Sequence, residues 1–129
     1  MQALKQHRLT QSEHDVLACA RRQGAPFIAT PGLLLEEVRI TSGALTTCVN
    51  RLIDRDLLIR LSCQEDKRSR PVQLTEAGKT LIDEVTRYRF ILAEQVMAGL
   101  TFGERQTLDY LLDKINHRLG VIQHEQSED

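Results

Sequence analysis

The chain has 129 residues, 41% of them apolar and 27% charged, with a formal net charge of -1 at neutral pH. That length holds one domain, or one domain with a helical extension, and supplies enough apolar residues for a core. No apolar run approaches the roughly 18 residues of a membrane span, and the opening MQALKQHRLT lacks the apolar centre of a secretory signal, so a cytoplasmic protein without a membrane partner is expected.

Met1 to Leu9 shows no clear organisation of its own. Thr10-Gln11-Ser12-Glu13 is a capping box and opens a helix whose buried stripe is Val16, Leu17, Cys19 and Ala20; Gly24 and Pro26 end it. Thr30-Pro31 opens the next helix with a capping hydroxyl and a proline whose missing amide costs nothing there. Leu34, Leu35 and Val38 form its apolar face, and Ile40 plugs the following turn. A third helix starts after Thr41 as N-cap, with Leu45, Val49 and Leu52 recurring at helical spacing beside Cys48 and Ile53.

The opposite face of this third helix carries Gly43, Thr46, Thr47, Asn50 and Arg51, with Ser42 at its start and Asp54 behind. Small, hydroxylated, amidic and cationic side chains suit a helix lying in a DNA major groove, where Asn pairs bidentately with adenine and Thr reaches polar edges or a thymine methyl. Gly43 would let the backbone approach the duplex closely. Any surface helix is polar on one side, so this helix alone leaves recognition and simple solvation both open.

Leu57 to Ser62 and Pro71 to Leu74 read as two short strands, with Pro71 tolerable at a strand start. Between them Cys63 to Arg70 is a polar hairpin tip carrying Lys67, Arg68 and Arg70. Narrow, electronegative minor grooves attract Arg, and a hairpin beside a recognition helix can deliver one there. Asp66 either orients the Arg68 guanidinium or is a solvated loop carboxylate. From Arg39 to Arg70 seven cations face four anions, so positive charge gathers where nucleic-acid contact would need it although the whole chain is slightly acidic.

Asp66-Lys67-Arg68-Ser69-Arg70-Pro71-Val72-Gln73-Leu74-Thr75 resembles the D-x-R-S-x-x-V-x-L-T wing motif of the MarR family, the multiple-antibiotic-resistance regulators. Thr41 to Arg60 is similar to that family's recognition helix and first wing strand, and Thr75-Glu76-Ala77-Gly78 to its T-x-x-G continuation. The likeness spans roughly Leu9 to Leu119. It implies a mainly α fold with a small β-hairpin wing: a winged helix-turn-helix joined to C-terminal dimerisation helices. It also implies a homodimeric transcriptional regulator that binds double-stranded, pseudo-palindromic DNA. Asp56 stands where the family usually has glycine, a position that favours positive φ and that Asp tolerates better than most residues. Members generally carry a full helix before the capping box, whereas nine residues precede Thr10 here. Either the last two helices alone support the dimer, or this is a short variant, or the chain is truncated.

After Thr75 a long helix is predicted from Leu81, Ile82, Val85, Tyr88, Ile91, Leu92 and Val96, ending near Gly99 and spanning about 36 Å. Thr101-Phe102-Gly103-Glu104 is a second capping box, opening a helix with the apolar seam Leu108, Leu111, Leu112, Ile115, Leu119 and Ile122. A partner subunit would bury that seam more completely than a small monomer can. The expected division is 9–75 for the DNA-binding lobe, 76–122 for the dimerisation helices and 123–129 for an acidic flexible tail.

No phosphate loop, H-E-x-x-H or nucleophile elbow occurs, so an enzyme is not expected and no cofactor is implied. His7/His14 and His117/His124 lie seven apart, about 10 Å along a helix, too far for one metal without further ligands. Cys19, Cys48 and Cys63 form no C-x-x-C pair: the first two suit a core, and Cys63 is either an incidental thiol or an oxidation target. By resemblance, a small aromatic or phenolic effector, or a stress signal, would relieve repression from a pocket near Cys19 and Tyr88. The alternative function is a winged-helix protein-interaction module, or a shortened antagonist of a related regulator.

Overall fold

The computed structural model describes residues 2–62 and 70–127. They form two compact units, 1–89 and 90–129. The first holds helices α1 (Gln2–Gln6), α2 (Gln11–Arg22), α3 (Pro31–Val38) and α4 (Ser42–Asp54). It also holds strands β1 (Ile28–Ala29), β2 (Leu58–Arg60) and β3 (Val72–Leu74), and the start of α5 (Glu76–Met97). The second holds the end of α5 and all of α6 (Phe102–Ser127). This is the expected mainly α fold with a small antiparallel sheet.

Helices α2, α3, α4 and α5 each start on a threonine hydroxyl. Thr10 Oγ1 accepts from the Glu13 amide at 3.1 Å while Glu13 Oε2 accepts from the Thr10 amide, so a buried carboxylate keeps hydrogen bonds. Thr30 and Thr41 accept from the amides of Leu33 and Ala44, both at 3.2 Å. Thr75 does this for α5, accepting from the Gly78 amide at 3.0 Å and donating to the Asp56 carbonyl at 2.7 Å.

The helix ends use left-handed residues. Asp56 has φ +59; its amide reaches the Ile53 carbonyl and the Leu57 amide reaches that of Leu52, which closes α4 as a Schellman turn with Asp in the glycine position. The same pattern ends α1, with Arg8 at φ +55 and paired bonds from Arg8 to Lys5 and from Leu9 to Leu4. The sequence carries no visible pattern in this segment, because five residues are too few to show a helical period. Leu4 and Leu9 are nevertheless buried with the core.

That core collects Val16, Leu17, Cys19 and Ala20 from α2, Leu34 from α3, and Leu45, Cys48, Val49 and Leu52 from α4, as the spacing predicted. Ile82 and Val85 of α5 join it. The sheet runs in the order β1-β3-β2, with Ile28 opposite Gln73 and Arg60 opposite Val72. Strand β1 is a correction to the two-strand expectation; its two residues cannot display alternation. The other strands are shorter than the predicted runs, although the Leu61 amide still bonds the Pro71 carbonyl at 2.9 Å.

In the second unit, Thr101 and Glu104 form the expected capping box with bonds of 2.9 and 3.2 Å. Helix α6 then continues through Ser127, where a fraying tail was expected from residue 123. Gln, Glu and His there all sustain a helix, and neither Gly nor Pro interrupts them. No described residue of α6 is buried, and Leu111, Leu112, Ile115 and Leu119 are each about half exposed. Among the described residues no helix is long and apolar enough to cross a membrane.

Candidate nucleic-acid interface

Helices α3 and α4 make the helix-turn-helix, and the packing of α4 decides what it displays. With Leu45, Cys48, Val49 and Leu52 turned inward, Ser42, Gly43, Thr46, Thr47, Asn50 and Arg51 are all exposed. A Cβ on Gly43 would meet nothing within 4 Å, so no packing inside the unit demands a glycine there.

The exposed side chains have defined hydrogen-bond states. Thr46 and Thr47 donate their hydroxyl protons to the Ser42 and Gly43 carbonyls at 3.0 and 3.1 Å. They therefore present lone pairs and methyls outward. Asn50 Oδ1 accepts from Arg60 Nη2 at 3.1 Å. Charge counting alone does not single out Arg60; its signal is its place on β2, ten residues after Asn50 and across a tight turn.

Arg70 is half-buried at the foot of β3, with Nε shielded from water and unpartnered. With Arg60, Pro31, Leu34, Leu45, Thr46, Val49 and Val72 it lines a cavity of about 60 Å³. A more open cavity of about 520 Å³ is lined by Pro31, Leu35, Ser42, Gly43, Leu45, Thr46 and Arg60. Neither is the pocket expected around Cys19 and Tyr88, and Cys19 is fully enclosed by the core. Asp66, Lys67 and Arg68, and with them Cys63, lie outside the described residues.

Burial pushes the Cys19 thiol up to about 11, helped by the neighbouring Glu37 carboxylate. Burial does the same for Cys48, also to about 11, with Glu13 adding to it. Both are core thiols rather than nucleophiles. Glu37 itself is held below the usual carboxylate range by the Arg22 guanidinium at 2.7 Å. Among the described residues no group of His, Cys, Asp and Glu is arranged to hold a metal.

Comparison with known proteins gives the same picture. The MarR family model matches residues 9–69. The HTH-type transcriptional regulator PecS of Dickeya dadantii is 29% identical over 113 residues, 88% of this chain and 68% of PecS. A mutant MarR from E. coli, solved in complex with operator DNA, superimposes with a TM-score of 0.69 at 29% identity, covering 88% of this chain and 80% of that one. BpsR of Bordetella bronchiseptica, whose DNA binding is regulated by 6-hydroxynicotinic acid, gives 0.67 at 27% identity, covering 84% and 80%. The family model laid over the helix-turn-helix, and the structural match extending through most of the chain, make this protein similar to the MarR family in both sequence and fold.

Proposed function

We propose that the chain is a sequence-specific DNA-binding transcriptional regulator, a repressor acting as a homodimer on a pseudo-palindromic site. The carrying observation is α4, whose inward leucine stripe leaves a fully exposed face of small, hydroxylated, amidic and cationic side chains. Ser42, Gly43, Thr46, Thr47, Asn50 and Arg51 are its contacts in the major groove. Lys67, Arg68 and Arg70 are its wing contacts, with Asp66 orienting Arg68 in the minor groove. The exposed apolar seam of α6 is the face a second copy covers, and residues 76–122 carry that role. The site of action is the bacterial cytoplasm, at the nucleoid.

The effector is a small aromatic anion. The 520 Å³ cavity sets Pro31, Leu35 and Leu45 against the Arg60 guanidinium and the Ser42 and Thr46 side chains, a combination suited to a ring bearing a carboxylate or phenolate. Because Ser42, Gly43 and Thr46 line this cavity and are also the groove contacts, an anion held there would compete directly with the duplex.

The test is selection from a randomised duplex pool, with the mass of the bound complex read by light scattering. The expected product is a pseudo-palindrome holding two chains, whose affinity falls steeply between about 50 and 200 mM salt. No enrichment at any salt overturns the reading. In that event the alternative, a protein-interaction module or shortened antagonist that pairs through α6 with a longer relative, takes its place.

A further inference from the structure

We infer that Arg60 is a specificity-determining residue: by holding the amide oxygen of Asn50, it makes Asn50 read guanine rather than adenine. The inference rests on the DNA-binding reading above and names the chemistry of one contact within it.

Guanidinium has only donors, so the branch of the Asn50 amide facing it must be the oxygen. The 3.1 Å bond from Arg60 Nη2 to Asn50 Oδ1 therefore fixes the plane of the amide and turns Oδ1 toward β2. The outward branch is Nδ2, with two donors. Bidentate pairing with adenine needs the oxygen and the nitrogen of the amide aimed together at one base edge, to accept from N6 and donate to N7. Arg60 takes one of the two lone pairs of Oδ1 and sets guanidinium donors beside it, so an adenine N6 amine arriving at that oxygen meets another donor. What remains is a surface of donors, the Asn50 NH₂ beside a guanidinium, and the base edge in the major groove with two acceptors side by side is guanine, through N7 and O6. Thr46 and Thr47 add no donors to this face, because they spend their hydroxyl protons on the carbonyls of Ser42 and Gly43.

The experiment is the same duplex selection run on the full chain and on three variants, each first checked for an unchanged melting transition. The unaltered chain is expected to select guanine at one position in each half-site. Arg60→Leu frees Oδ1, and the preference at that position should move to adenine by about five- to a hundred-fold. Arg60→Lys keeps a donor at the oxygen and should retain guanine. Asn50→Asp gives Arg60 one carboxylate oxygen and turns the other outward as an acceptor, so the preference should move to cytosine through its N4 amine. Adenine selected by the unaltered chain overturns the inference. So does an Arg60→Leu protein that binds all sequences uniformly more weakly with its base preference intact, the behaviour of a mere phosphate contact. If no chain enriches any sequence, it is the DNA-binding reading that fails, and this inference with it.

Discussion

A side chain on Gly78 would collide with the main-chain carbonyl of Leu57. An added Cβ overlaps that oxygen and lies 2.8 Å from Leu74 Cδ1, so α5 can lie against the turn before β2 only because its third residue has no side chain. The Leu57 carbonyl also accepts from the Thr75 amide at 3.2 Å, which pins both partners in place. Gly78→Ala should therefore cost about 2 to 4 kcal/mol despite the better helix propensity of alanine, because backbone rather than a flexible side chain must move. Urea denaturation measures this, and a stabilised variant would refute the packing argument.

The first nine residues should matter more than their lack of pattern suggests. Leu4 is 4% exposed, and Arg55 at the end of α4 donates to the Arg8 and His7 carbonyls at 2.9 and 3.2 Å. Leu4→Ala is expected to cost about 2 to 4 kcal/mol through the cavity it leaves. Arg55→Ala, which breaks only exposed bonds, should cost about 1 kcal/mol. Equal stability of Leu4→Ala and the unaltered chain would show that this segment is not part of the folded core.

The buried thiols make a chemical and a thermodynamic prediction. At pH 8 Cys19 and Cys48 should resist a thiol reagent in the folded chain and react once it is unfolded, as mass mapping would show. In the folded state both thiols hold their protons to about pH 11, whereas unfolded thiols ionise near 9. Their contribution is thus complete below pH 9 and is lost as pH rises from about 9 to 11, so the melting temperature should fall across that window. Cys19→Ala should flatten the decline, and an unchanged slope would show that the thiol does not drive it.

Leu112→Glu with Ile115→Glu should convert a two-chain species to a single chain by light scattering, and weaken binding to a full palindrome far more than to a half-site. The melting of the first unit should be unaffected, since neither residue belongs to its core. A double variant that still pairs would move the interface elsewhere.

Aromatic carboxylates such as benzoate should release DNA from the unaltered chain more readily than from Arg60→Leu, because the cavity's guanidinium is gone in the variant. Equal release would remove Arg60 from the effector's binding site.

The helix starts were legible because Thr10, Thr30, Thr41 and Thr101 announce themselves through local chemistry, and the core because its stripes repeat at 3.6 residues. The positive φ at Asp56 was legible from the family pattern alone. Strand β1 and helix α1 were not, since two and five residues carry no period and are fixed by partners distant in sequence, Gln73 and Val72 for one and Arg55 for the other. The face of α4 was readable from spacing. The hydrogen-bond state of its side chains was not, because the tether on Asn50 comes from a strand that the helical wheel does not include.

Helix α6, with 26 residues and none buried among those described, has one more consequence. If a second copy covers that seam, as proposed above, the active species is a product of mass action: while most chains are single, doubling their number raises the paired form about four-fold. Occupancy of a promoter would then respond to gene dosage and dilution by growth more steeply than to a proportionate change in affinity for the site, and such a dimer would gauge its own abundance.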